Sequence, residues 1–438
     1  MKWMRGLWAG ASLLLVLSGC SEDPTGTIEN AGVYSPLITG LDADKEPAVR
    51  GVANEFTVLI TNVSGFPITY HWSAAAGALT DSIGETAVWN APDAVGTYPI
   101  TVSIVSDDGA GNHFFKTTTF QVFVDNEYKR WTNSPEVQFD PDPTASGGVV
   151  FAQFRNSATG AADAYDISSP GLSPVQLTTG FQTLASPTMR SDNLTLCFVG
   201  KRSSADSVSI FSLPGTGGDP SMVSPVAWGT SGRLIVANAR FARAGSWLVY
   251  NADSTSLFHP RPWFTDLATV EQKVLQQGGA GFGTTFWTPA WGPDNDANGL
   301  PDSIVTVGFF LFKTLNQEPM GLFKFPTSPE QSTATQWLPD STAAEVDWSP
   351  DGQHIVFTRR NPVAGDRDIW IINAGSNDPS TALRVTAGPA DDSHPRFSYD
   401  GNSIVFVSNR VDHYGLNGIY NTERRGTNIW SVSRFDRP

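Results

Sequence analysis

Across residues 135–438 the chain repeats itself at a spacing near 50 residues, and no other feature constrains its fold so tightly. EVDWSPDGQHIVFTRR (345–360) and HPRFSYDGNSIVFVSNR (394–410) place an aromatic residue, a tight turn and an Ile-Val-Phe strand in one register. The same register recurs upstream in ANARFARAGSWLVYNAD (237–253) and SPTMRSDNLTLCFVGKR (186–202), and in the stretches that start at Trp291 and contain Phe139. The six anchors are therefore Phe139, Met189, Phe241, Trp291, Trp348 and Phe397, separated by 50, 52, 50, 57 and 49 residues. A unit of this length with about four strands cannot bury its own sheet and must stack on its neighbours, which predicts a β-propeller.

Counting strands predicts how the ring closes. The last repeat stops at its third strand, NIWSVSRF (428–435), whereas others add a fourth such as ALRVTAG (382–388) or VQLTTG (175–180). YKRWTNSP (128–135) supplies the missing strand, because Arg130-Trp131-Thr132 echoes Arg384-Val385-Thr386. The expectation is an all-β chain with a six-bladed propeller over 127–438, closed by an N-terminal strand that leaves no open sheet edge. Gly 41, Pro 30 and only 16% charged residues agree with many short strands and tight turns.

Residues 31–126 read differently, as roughly ninety residues of alternating strands, enough for a β-sandwich. In TYPITVSIV the alternation puts Tyr98, Ile100, Val102 and Ile104 on one face and Thr101 and Ser103 on the other. ITYHWSA, AVWNAP and GTYPITVSIVSDDGAG resemble Ig-like or PKD-like modules of bacterial surface proteins, which implies a spacer or adhesive module with Trp72 in its core. The repeat region, with its W-S-P-D-G turn, its I-x-F strands, Asp368-Ile369-Trp370 and Asn428-Ile429-Trp430, resembles the TolB-type propeller. That resemblance also implies six blades.

The N-terminus, MKWMRGLWAGASLLLVLSGC, has Lys2 and Arg5 ahead of a short apolar run and then Leu17-Ser18-Gly19-Cys20. The run is too short to span a bilayer. It resembles a bacterial lipoprotein signal, which implies removal of 1–19, lipidation of Cys20 and a polar spacer over 20–30. Ser21 in place of Asp points to the outer membrane of the cell envelope. Net charge is −15 and becomes more negative without the signal, so nucleic acid is not an expected partner and the membrane is met through the lipid alone. Cys197 then stands by itself in the apolar run LTLCFV and is expected as a buried thiol.

Two groups of residues are candidate sites. The turn after Trp291 carries six more residues than the turns of the other repeats, and they spell D-x-D-x-N-G-x-x-D. Asp294, Asp296, Asn298 and Asp302 offer side-chain oxygens, Leu300 its carbonyl, and Gly299 the sharp turn that a structural calcium loop needs. Arg359, Arg360, His394, Arg410, His413, Tyr414, Arg424 and Arg425 lie in segments expected on the opposite face, where arginine forks suit a carboxylate or an anionic glycan. No nucleophile elbow or H-E-x-x-H motif occurs, so no catalytic residue is assigned. The expected role is non-enzymatic binding or scaffolding, as a monomer, of an envelope protein or glycan through the propeller face. The alternative is a propeller-type polysaccharide lyase or glycoside hydrolase acting in the central channel.

Overall fold

The computed structural model describes residues 36–438 except 45–47, 63, 83, 224–235, 253–259, 270–271, 275–283, 312–316, 328–333, 362–364, 388–389, 415–419, 423–426 and 434. The signal segment, Cys20, Arg424 and Arg425 thus lie outside the described residues. Among the described residues the regular structure is strand, apart from one 3-10 turn at Pro379–Thr381. No helix there is long and apolar enough to cross a membrane. Two compact units are present, one to Glu127 together with 413–420, the other Tyr128–Asp412 with 421–438.

In the first unit, β1 (Leu37–Ala43), β3 (Ala53–Thr61), β6 (Thr86–Asn90) and β5 (Ala78–Asp81) form one sheet in that order. β2 (Ala48–Val49), β8 (His113–Asp125), β7 (Gly96–Asp107) and β4 (Ile68–Ala74) form another. The alternation read from the sequence is what packs them. Ile100, Val102 and Ile104 are fully buried in one cluster with Phe56, Trp72 and Trp89. Trp89 is the more deeply enclosed tryptophan, and its indole N–H is satisfied by the Ala76 carbonyl at 2.9 Å.

Among the described residues the second unit contains six four-stranded sheets. Their first strands are Gln138–Pro143, Thr183–Met189, Val236–Phe241, Thr284–Trp291, Ala343–Trp348 and Asp392–Phe397, and we number the sheets 1 to 6 accordingly. Each first strand neighbours the next in sequence, and that of sheet 6 also neighbours that of sheet 1. Sheets 1 to 5 follow chain order. In sheet 6 the order is Asp392–Phe397, Ser403–Ser408, Asn428–Ser433 and then β9 (Glu127–Arg130). Arg410–Tyr414 and Tyr420–Thr422 pair separately as a two-stranded ribbon.

The Thr132 hydroxyl accepts from Ile429 N–H at 2.9 Å, as Thr386 does from Ile369 and Thr178 from Ala164, both also at 2.9 Å. These three threonines hold the same place in three sheets, which is the physical content of the Arg-Trp-Thr echo. Apolar residues of neighbouring sheets fill the spaces between them. Cys197, as expected, lies at 0% exposure among Ile210, Phe241 and Leu248, with its thiol pushed far up by burial.

One anchor needs correcting. Met189, Phe241, Trp291, Trp348 and Phe397 pair with Leu196, Leu248, Ile304, Ile355 and Ile404. In sheet 1 the equivalent pair is Pro143 with Val149, whereas Phe139 pairs with Ala152, four residues earlier. Phe139 is the only aromatic residue of that strand and so mimics an anchor. The true slot is a proline, because the first strand of sheet 1 reads Gln-Phe-Asp-Pro-Asp-Pro.

Candidate functional site

The six first strands share a backbone irregularity that points side chains toward a common centre. Each has a register shift, and within it one non-glycine residue sits in the left-handed region: Asp140, Ser186, Asn238, Thr288, Glu345 and His394, with φ between 47 and 54°. Asn and Asp tolerate this conformation, but it is strained for a β-branched residue such as Thr288. Two positions further on stand Asp142, Thr188, Arg240, Ala290, Asp347 and Arg396. Most of these twelve residues are charged or carry hydroxyls. Sequence reasoning found only His394 among them. The available signal was an X-Pro dipeptide three residues before the anchor, in Asp140-Pro141, Ser186-Pro187, Thr288-Pro289 and His394-Pro395.

Carboxylates and hydroxyls on one strand satisfy the amides that the bulge frees on the next. Asp140 Oδ2 accepts from Ser186 N–H at 2.9 Å, and Glu345 Oε2 from His394 N–H at 2.9 Å. One level deeper, Asp142 accepts from Met189, Thr188 from Phe241 and Asp347 from Phe397, at 3.2, 3.0 and 2.9 Å. These belts account for backbone donors that burial would otherwise orphan.

His394 is the electrostatic hub. Its Nε2 lies 3.0 Å from Asp140 Oδ1 and 3.6 Å from Glu345 Oε1, so one imidazole joins sheets 1, 5 and 6. Burial alone would push the imidazole down, but Glu345 and Asp140 outweigh it and hold it above its ordinary value. Burial opposes ionisation of Asp140 too, yet His394 and the Ser186 N–H keep that carboxyl well below the usual range. Glu345 is held down in the same way by His394 and by Arg367, which donates to it at 3.0 Å.

At the hairpin-turn end, arginines cross the centre. Arg243, just beyond the sheet 3 strand, donates to the Phe397 and Ser398 carbonyls of sheet 6 at 3.0 and 3.3 Å, and its guanidinium lies over Tyr399. Arg240 donates to the Val346 carbonyl and to Asp347 of sheet 5 at 2.9 and 3.3 Å. Burial lowers Arg240 to about 9, helped by the like charge of Arg396.

The expected arginine face does not gather among the described residues. Arg410 has 0% exposure and is paired with Asp392, itself fully buried and pushed up by burial, so it braces the interior of sheet 6. Its guanidinium lies over Tyr128 and Phe406. Arg359 pairs with Asp340 and stacks on Trp370 at 4.3 Å. Arg360 donates to the Gly365 carbonyl at 3.2 Å on the surface. His413 and Tyr414 belong to the two-stranded ribbon, and their side chains are outside the described set, as are Arg424 and Arg425.

The acidic loop does gather. One ligand atom from each of Asp294, Asp296 and Asp302 lies within 4.8 Å of the others. Asn298 N–H donates to Asp294 and Asp296, Gly299 N–H to Asp294 and Leu300 N–H to Asn298 Oδ1, which folds the turn around the carboxylates. Gly299 has φ +86°, and its carbonyl approaches Gly245, where any side chain would collide at 2.9 Å.

No protein-family model matches the chain, and no curated protein matches it. Solved structures similar in architecture include TolB from Acinetobacter baumannii, at 11% identity over 83% of this chain and 79% of that one, TM-score 0.43. An oligogalacturonate lyase from Vibrio parahaemolyticus is similar at 9% identity over 84% and 98%, TM-score 0.44. The β-propeller domain of the Trilobed protease from Pyrococcus furiosus is similar at 10% identity over 89% and 96%, TM-score 0.40. The second unit is a β-propeller. At these identities no activity passes from those proteins to this one, and the propeller's own geometry has to carry any functional reading.

Proposed function

We propose that the protein is an outer-membrane lipoprotein, tethered through lipidated Cys20, in which an Ig-like sandwich spaces a closed six-bladed propeller from the membrane. The propeller acts as a non-enzymatic binding module for an envelope partner. What carries this reading is the set of six left-handed, non-glycine residues, Asp140, Ser186, Asn238, Thr288, Glu345 and His394, one at the register shift of each first strand. Strained backbone held by a packed scaffold is characteristic of sites that present side chains to a ligand. Closure of the ring is supported by β9 lying outermost in sheet 6 and by the shared threonine bond to Ile429.

The test is capture of partners from native envelope extract on the lipid-free protein. Ser186→Ala, Asn238→Ala and Thr288→Ala together change one side of the ring and leave the His394 ion pairs intact. The triple variant is expected to lose the captured partner. Equal capture by variant and wild type sinks the binding reading. Cys20→Ala is expected to move the protein from the membrane to the soluble fraction, and unchanged fractionation removes the lipid anchor.

We also propose that Asp294, Asp296, Asn298, Asp302 and the Leu300 carbonyl hold a structural calcium ion. Support comes from the convergence of three carboxylates and from hard-oxygen donors of the kind calcium prefers.

A further inference from the structure

We propose that the axis of the propeller is a socket, closed at one end, that takes the chain-terminal carboxylate of a polypeptide on Arg240 and Arg396. The inference rests on the binding reading above and names the chemistry of that same centre. Arg240 is 6% exposed, and while its NH1 is used, its Nε and NH2 meet no acceptor. Arg396 occupies the equivalent place on the sixth strand and is 8% exposed. Its NH1 donates to its neighbour's carbonyl, Pro395 O, at 2.7 Å, and among the described residues no carboxylate lies within ion-pair distance of it. Asp347 links the two places, accepting from Arg240 at 3.3 Å and from the N–H of Phe397, the residue after Arg396, at 2.9 Å.

A buried guanidinium with unused N–H groups is unstable without an acceptor, and a planar carboxylate matches its fork. His394 is engaged by Asp140 and Glu345, and Arg240 and Arg243 both face Asp347 through one ion-pair contact each. The unused Nε and NH2 of Arg240 form the two-pronged edge that a planar carboxylate matches.

Direction of entry follows from the arginines themselves. Arg243 spans from sheet 3 to sheet 6 at the hairpin-turn end, so a chain cannot thread through there. At the other end His394, Asp140 and Glu345 keep 28%, 13% and 13% of their side-chain surface. A chain end, rather than a chain middle, fits such a socket. Of the six ring positions only His394 carries an aromatic ring, and its Nε2 edge is fixed between Asp140 and Glu345, whereas the other five offer hydroxyl, amide or carboxylate groups of the kind that pair with a peptide backbone, which favours a peptide over a uronate.

The probes are N-acetyl-glycylglycine, its C-terminal amide and digalacturonate, titrated into the full-length protein with ligand-observed NMR. The free acid is expected to bind saturably and about tenfold more tightly than the amide. Arg396→Gln is expected to erase that preference, and Arg396→Lys to restore part of it. Equal binding of acid and amide to the wild type overturns the proposal without needing any variant to fold. Tighter binding of digalacturonate overturns the peptide assignment. If envelope partners are captured yet the acid shows no preference over the amide, the socket falls while the binding reading stands.

Discussion

A single imidazole does an unusual share of the work here. His394 adopts φ 53°, sits between Asp140 and Glu345, and has its own N–H capped by Glu345. Its folded value is raised, so its stabilisation is complete below the unfolded value near 6.5 and is lost as pH rises through the higher folded value. The lowered Asp140 and Glu345 give the opposite limb, present above their unfolded values near 4 and lost on further acidification. Thermal melting of the wild type should therefore weaken on both sides of a mildly acidic optimum. His394→Gln should abolish the alkaline limb and cost about 2 kcal/mol at pH 6, as expected for removing one partner of a largely buried pair. A variant that keeps the alkaline limb would place the titrating group elsewhere. Position 394 was legible as a candidate because histidines are few. Its partners were not, since Asp140 and Glu345 lie far away in sequence and meet it only when three sheets come together.

At the level of one strand pair or turn, the repeat made most of the architecture readable. Seven residues separate anchor and partner in four repeats, and the longer turn after Trp291 stood out by its length alone. The structure adds that this turn folds around its own carboxylates and packs against the Gly245 turn. Asp294→Asn with Asp296→Asn keeps one acceptor oxygen at each place where the carboxylate uses two, so the apo turn should lose one hydrogen bond at each and melt slightly lower. In millimolar calcium the wild type should gain several degrees of melting temperature over its chelated form, and the double variant should gain none. Calcium that fails to shift wild-type melting leaves the loop an acidic turn. Arg410 illustrates the limit of reading loops by charge. It stood in a run of polar residues with every mark of a surface arginine, yet the buried Asp392 draws it inside.

For the whole molecule the decisive feature is that the last sheet is built from both ends of its unit. β9 supplies the outer strand, with Tyr128 under the Arg410 guanidinium and Thr132 accepting from Ile429. Deleting 127–132 should leave the outer edge of sheet 6 unpaired and orphan the Ile429 amide. The expected result is lower melting and concentration-dependent association in size-exclusion chromatography. A monomer as stable as the wild type would show that β9 is dispensable. By itself the sequence determined the strand content, the period of the repeat and which residues face the cores, because those follow from local alternation and turn chemistry. It also located the expanded acidic turn. Which polar residues meet at the centre of the propeller follows from the packing of its sheets. The left-handed bulges aim side chains from six strands separated by about 50 residues each, and the ion pairs they form depend on distances that no local pattern encodes.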